Sequence, residues 1–146
     1  MGASIGVRKS SPSSHRLYEG ATETAQFKDP TDGSSLVELR SNSKRGTPCQ
    51  TVFPGSVHIS GENIEWVSDG VPAKIDVDQL KNSVSRLAAA SLLSKHWPNG
   101  SRHDAALAFA GALRRAGWTV DQALDFLDPI FAGDGEYEDR VRCVRD

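Results

Sequence analysis

The stretch GVPAKIDVDQLKNSVSRLAAASLLSK, residues 70–95, is where one kind of sequence gives way to another. Before it the chain is rich in Gly, Ser, Pro and Thr, with short β-prone runs. After it the apolar residues recur at helical spacing. Asp76 has the short carboxylate that accepts a backbone N–H at a helix start. Leu80, Val84, Leu87, Ala88 and Leu92 then fall on one stripe of a helix predicted to run to about Lys95.

Beyond that helix, His96-Trp97-Pro98-Asn99-Gly100 is a break, and Asn99-Gly100-Ser101 reads as a turn rather than a glycosylation site. Ser101 followed by Asp104 imitates a capping box, with Asp a weaker partner than Glu or Gln. The next helix carries Ala106, Phe109, Ala110 and Leu113 at core spacing and stops at Gly117, a natural C-terminal cap. Thr119 with Gln122 is a full capping box for a third helix through Leu124, Leu127 and Phe131, which Pro129 is expected to bend or end. A last helix begins near Glu136 and gathers Tyr137, Val141 and Val144.

Upstream, the runs His15–Tyr18, Leu36–Arg40, Gln50–Phe53 and Asn63–Val67 predict short antiparallel strands. Asp29-Pro30-Thr31-Asp32-Gly33 and Ser60-Gly61-Glu62-Asn63 are turn chemistry, and residues 41–48 read as an exposed loop. The expected architecture is α+β, an incomplete antiparallel β-sheet followed by a small bundle of three or four helices. The expected domains are residues 1–72 and 73–146. Half a sheet leaves an edge open to pairing.

At 146 residues the chain has room for one ordinary domain or two small ones. A hydrophobic fraction of 38% and a mean hydropathy of -0.42 are low for a single well-filled core. The net charge of -2 neither demands nor excludes nucleic acid, but its distribution is uneven. No acid precedes Glu19, and between Leu39 and Gly61 the charged residues are Arg40, Lys44 and Arg45 alone. A locally basic face of this kind can meet phosphates. Cys49 and Cys143 lie far apart with no CxxC or Cys/His spacing, which argues against a disulfide framework or structural zinc and fits a reducing, cytoplasmic setting. No run reaches membrane-spanning length, so no membrane partner is expected.

Three segments have chemical potential. Ser13-Ser14-His15-Arg16-Leu17-Tyr18 sets a histidine among hydroxyls and an arginine, where it can donate to a phosphate. Taken alone, an ordinary surface histidine is the commoner case. Leu36-Val37-Glu38-Leu39-Arg40 alternates so that Val37 and Leu39 anchor a strand while Glu38 faces outward or into a cleft. A carboxylate on a rigid strand suits a divalent metal, and the plain alternative is a solvated Glu38 paired with Arg40. The third, from Gln50 to Gly61 with Glu65-Trp66 after it, delivers a strand into a Pro-Gly turn. Backbone N–H groups, the Ser56 hydroxyl and the His58 imidazole would lie close together there, as in a phosphate cradle. It lacks the Gly-Lys-Ser/Thr element of a P-loop.

The order and spacing of the three are more specific than any one. A Ser-x-His strand, a Glu-Leu-Arg strand and a Gln-Thr-Val-x-Pro-x-Ser-x-His-x-x-Gly loop ending in Glu-x-Trp resemble the bifunctional DNA primase-polymerases of the archaeo-eukaryotic primase superfamily. These are replication proteins of phages and mobile elements, and the resemblance covers roughly residues 8–66. It implies that His15, with Ser13 beside it, contacts the phosphates of an incoming nucleotide. It further implies that Glu38 is a metal-binding carboxylate and that Arg40, Ser56 and His58 shape the nucleotide pocket. Trp97-Pro98-x-Gly100-Ser101-Arg102-His103 and the Ala/Leu helix after it resemble the helical segment that follows the polymerase domain in such proteins.

The resemblance implies Mg2+ or Mn2+ as cofactor, a DNA template and nucleoside triphosphates as partners, and nucleotidyl transfer as the reaction. The family's Asp-x-Asp/Glu pair, which precedes the Ser-x-His strand, has no counterpart here. Residues 1–14 hold no acid. The expectation is therefore a primase-polymerase fragment, inactive alone, whose site a complementary chain would complete. It requires His15, Glu38 and His58 to converge on one cleft. Other departures are Gly55 where the family has a second proline, a longer loop over residues 41–49, and no helicase motif. The alternative is a non-enzymatic replication or interaction module that binds single-stranded DNA or a partner protein through its helices, with Trp97 and Trp118 as possible stacking platforms.

Overall fold

In the computed structural model the described residues are 4–6, 15–68 and 70–146, with 4–6 described by backbone pairing alone. Strands come first: β1 (Ser4–Gly6), β2 (His15–Arg16), β3 (Tyr18–Glu19), β4 (Ala25–Lys28), β5 (Ser35–Leu39), β6 (Glu65–Ser68) and β7 (Ala73–Lys74). Helices follow: α1 (Val77–Lys95), α2 (Arg102–Arg115), α3 (Val120–Phe131) and α4 (Tyr137–Arg145). The fold is α+β, with small sheets ahead of a helical bundle. The chain divides into two compact units, Met1–Gln26 with Glu38–Ser83, and Phe27–Val37 with Val84–Asp146. It passes between them in the β4–β5 hairpin and again within α1.

In the first unit, β1 is the central strand, paired antiparallel with β2 on one side and β6 on the other. The two-residue strands β3 and β7 pair in parallel. The run Gln50–Phe53, expected as a strand, is irregular. Backbone pairing with Ile64 is made by Gly55 and Ser56, after the Pro54 turn, so the run before it has no ladder to join. The core here is thin. Ile64 is 2% exposed with Leu17 packed against it, while Val52, Phe53, Val57 and Val71 remain exposed and Ile59 is 99% so.

The second unit has the larger core. Ala90 of α1, Ala106 and Ala110 of α2, Ala123, Leu127, Ile130 and Phe131 of α3, and Val141 and Val144 of α4 form one buried cluster. Alanines on α1 and α2 leave room, and the large side chains of α3 and α4 fill it. Trp97 packs its ring on Phe109 and Phe131, with centroids 5.9 and 5.7 Å away. Helix ends follow the sequence closely in two places. Thr119 and Gln122 exchange both hydrogen bonds of the capping box (3.0 and 3.2 Å). After α2, Gly117 at φ 86 lets its own N–H reach Arg114 and that of Trp118 reach Leu113, a Schellman end.

Asp76 also caps α1, accepting the Gln79 N–H at 2.9 Å. Two expectations are corrected. Leu80 and Ala88 of the expected α1 stripe are buried, but Leu87 is 56% exposed, and Ala90 and Leu93 join the core instead. Ser101 sits at the N-cap of α2 at φ -128, ψ 28 and makes no side-chain capping bond, since its backbone is not in the extended conformation that aims the hydroxyl back. For Pro129 the alternative of ending the helix is set aside: it lies inside α3, which runs through to Phe131 as its apolar spacing predicts.

Candidate functional site

β2 and β6 place His15 and Trp66 in one cross-strand row. Both are in register with Ile5 on the strand between them. Residues in one row of a pleated sheet share a face. Trp66 is 45% exposed and Phe53, 46% exposed, meets it edge-on with ring centroids 5.1 Å apart and planes at 89°. The first unit thus carries an aromatic pair at one outer strand of this sheet and a half-buried imidazole on the other, with β1 between them.

Glu38 lies on β5, in a different sheet from His15. Its Oε1 is 3.0 Å from Arg40 Nε, and Arg40 Nη1 donates to the Gln50 carbonyl at 3.1 Å. Glu38 and Arg40 are therefore paired with each other, the plain reading of that strand, and the Glu38 carboxylate holds the Arg40 guanidinium above its usual pKa.

The 53–62 loop is built differently from a phosphate cradle. Ser56 N–H donates to the Phe53 carbonyl (3.1 Å) across a turn with Pro54 and Gly55 at its corners. Gly55 takes φ 96, which a type II turn demands of its third residue and which a proline there could not supply. The N–H groups of Gly55, His58 and Gly61 bond to the carbonyls of Ile64, Glu62 and His58. Ser60 N–H donates to His58 Nδ1 at 3.1 Å. These donors are used within the loop, which removes the backbone cradle and leaves the Ser56 and His58 side chains as its functional groups. The Ser60 hydroxyl lies 2.9 Å from His58 Nδ1 and donates to Glu62 Oε2 at 2.9 Å, so the ring is held by Nδ1 and Nε2 is the nitrogen able to meet a ligand. Ser13 lies outside the described residues.

Among the described residues, a group of three His, Cys, Asp or Glu side chains close enough to share an ion occurs at His103, Asp139 and Cys143, not around Glu38. The surroundings of Glu38 therefore do not fit the two-ion magnesium or manganese centre that the motifs imply. That chemistry needs several oxygen donors at strict octahedral geometry.

A close polar cluster at the β4–β5 turn was not foreseen in the sequence. Asp29, 0% exposed at the hairpin turn, accepts from Thr31 N–H (2.8 Å) and Thr31 Oγ1 (2.6 Å) on Oδ1, while Lys95 Nζ (2.6 Å) and His96 Nε2 (2.7 Å) meet Oδ2. Lys95 also donates to Asp32 (2.6 Å) and Ser34 (2.8 Å). The Lys95 ammonium, then Thr31, hold the Asp29 carboxyl far below its usual pKa, and Lys95 first of all pulls Asp32 down to about 2. With its three donors matched by three acceptors, Lys95 clamps the hairpin turn to the end of α1 within the second unit. The visible signal was Asp29-Pro30-Thr31-Asp32-Gly33, whose two carboxylates read as turn formers only.

The helical unit has a second buried network, in which Arg140, 3% exposed, donates to Asp134 (3.1 Å), Glu136 (2.5 Å) and Asp139 (2.6 Å). Trp118 packs edge-on against Phe126, and the Arg86 guanidinium lies 4.3 Å from a Trp118 ring centroid. Among the described residues no helix is long and apolar enough to cross a membrane. Comparison with protein families, with curated proteins and with solved structures finds no match to this chain.

Proposed function

We propose that the first unit is the nucleotide-contacting part of a DNA primase-polymerase, working in template-dependent nucleotidyl transfer and inactive without carboxylates from elsewhere. The carrying observation is the row in which His15 and the exposed Trp66, itself packed on Phe53, flank Ile5 from the two outer strands of one sheet. An aromatic face accepts any base by stacking, and an imidazole can donate to a phosphate oxygen; the two together suit a nucleotide. His58 Nε2 and the Ser56 hydroxyl add donors on the adjoining loop. Glu38 by itself offers one carboxylate, so no metal-dependent step is assigned to this chain. A complementary polypeptide bringing the acidic pair would make the site competent toward template and nucleoside triphosphate.

The test is binding of a fluorescent nucleoside triphosphate by anisotropy, with Trp66→Ala and His15→Ala variants. Stacking is worth about 1–3 kcal/mol per base, so Trp66→Ala should weaken binding roughly 5- to 150-fold. Equal affinity in both variants and the parent chain sinks the reading. Primer extension by the chain alone should give no product. Product that disappears in Glu38→Ala would show a complete site and overturn the inactive assignment.

The alternative, single-stranded DNA binding by base stacking on the helical unit, draws less support. Trp97 is packed on Phe109 and Phe131, and Trp118 is covered by Phe126 and Arg86.

A further inference from the structure

Two helices of the second unit bring together three side chains that no reading of spacing connects. His103 stands in the first turn of α2, while Asp139 and Cys143 are four residues apart on α4 and so lie one above the other on one face. His103 Nδ1 is 2.9 Å from Asp139 Oδ2 and 3.6 Å from Cys143 Sγ, and the three donor atoms all lie within 4.8 Å of one another. A nucleophilic Cys-His-Asp relay uses the two imidazole nitrogens for different partners. Here a single nitrogen faces both, an arrangement useless for relaying a proton and suited to sharing a cation.

We propose that His103, Asp139 and Cys143 form a binding site for a divalent ion of the zinc class, with water or an outside ligand in the fourth position. One nitrogen, one oxygen and one sulfur donor are the mixed set that zinc takes and that magnesium avoids. Bond lengths of about 2.0–2.3 Å in a tetrahedron put donor atoms roughly 3.3–3.6 Å apart. The nitrogen–sulfur separation already matches, and the nitrogen–oxygen separation needs only to open by a few tenths of an ångström.

Access and charge agree with this. The His103 and Asp139 side chains are 53% and 42% exposed, so an ion can enter, while Cys143 at 8% forms the inner wall. Arg140 donates to the same Asp139 oxygen at 2.6 Å, which steadies the carboxylate as an outer partner. Its own charge is already met by Asp134 and Glu136. A carboxylate and a thiolate neutralise a dication in full. Coordination forms bonds from the metal to Nδ1, the carboxylate oxygen and Sγ, and the thiol proton leaves to solvent.

The experiment titrates the chelator-treated full chain with Co2+ and then with Zn2+. One cobalt per chain is expected, with a thiolate-to-cobalt charge-transfer absorption that zinc displaces. Cys143→Ser should abolish the absorption, and Cys49→Ser, at the exposed cysteine of the other unit, should leave it intact. His103→Gln decides the matter independently of folding, because its side chain is on the surface. It should weaken binding by at least the roughly 10–100-fold that even an outer-shell loss costs, with an unchanged metal-free circular dichroism spectrum. Absence of the absorption, an unchanged cobalt affinity in His103→Gln, or loss of the absorption in Cys49→Ser overturns the proposal.

Discussion

Replacing Phe131 tests how the helical unit is held together. Among the described residues Phe131 is the largest side chain with essentially no exposure, and Trp97 lies on it at 5.7 Å. Phe→Ala in a core costs about 3–5 kcal/mol, according to how far the surroundings collapse into the space. Collapse is limited here, because Ala106, Ala110 and Ala123 in the same cluster have no longer side chain to swing inward. The expected loss for Phe131→Ala is therefore near the upper end, about 4–5 kcal/mol, a large part of the roughly 5–15 kcal/mol typical of a whole domain. Leu87→Ala is the matched control. Helical periodicity puts Leu87 in the core, but it is 56% exposed, and its truncation should cost no more than about 0.5 kcal/mol. Urea unfolding followed by far-ultraviolet circular dichroism measures both, with the slope showing whether the unfolded ensemble has changed. A loss under about 2 kcal/mol for Phe131→Ala, or a larger loss for Leu87→Ala than for Phe131→Ala, refutes this account of the core.

Acid should act through the hairpin clamp. Asp29 and Asp32 have folded pKa values below the ordinary 3.8, so their contribution is complete above that pH and is lost as pH falls through about 2 and below. Lys95→Met removes the main cause, and its acid-unfolding midpoint should lie at higher pH than that of the parent chain; an unmoved midpoint contradicts the clamp. Lys95 itself is raised above 10.5, so the same contact weakens only in strong alkali. Gly117→Ala meets no atom within 4 Å but must hold φ 86, so it should cost about 1–2 kcal/mol in the same urea assay; a neutral or stabilising result would mean the Schellman end is not needed. If the basic loop binds single-stranded DNA, neutralising Lys44 and Arg45 should lower the salt-dependence slope by about 1.4, and adding Arg40 should change it little because Glu38 already pairs with it. An unchanged slope in the double variant removes the loop from the interface.

The helices were legible because their signals are local. Asp76, the Thr119–Gln122 box and Gly117 each act within four residues, and each is found making the bond expected of it. Ser101 failed for lack of the extended backbone that a side-chain alphabet does not reveal. The strands were legible only in part. Val52 and Phe53 have strand composition, yet a strand is made by its neighbour, and the neighbour Ile64 pairs one turn further on. The candidate site divides in the same way. The 53–56 turn was readable, but its internal use of N–H groups was not. His103 and Cys143, 40 positions apart, meet through helix packing that no spacing rule encodes. The i, i+4 relation of Asp139 and Cys143 was the one trace left in the sequence.

The second unit is discontinuous: residues 27–37 belong with 84–146, and the intervening 46 residues, 38–83, belong with the first. A ribosome delivers the hairpin tip long before its partners, so Asp29 must wait for Lys95 to emerge while the segment between them is synthesised. Closing so long a loop costs entropy that nearest-neighbour contacts would not. Cutting the gene at the compositional boundary near residue 73 would therefore give a helical piece whose Lys95 and His96 have lost their carboxylates. A permuted gene that joins the tip directly to the helices would keep Asp29 and Asp32 with Lys95 in one continuous piece.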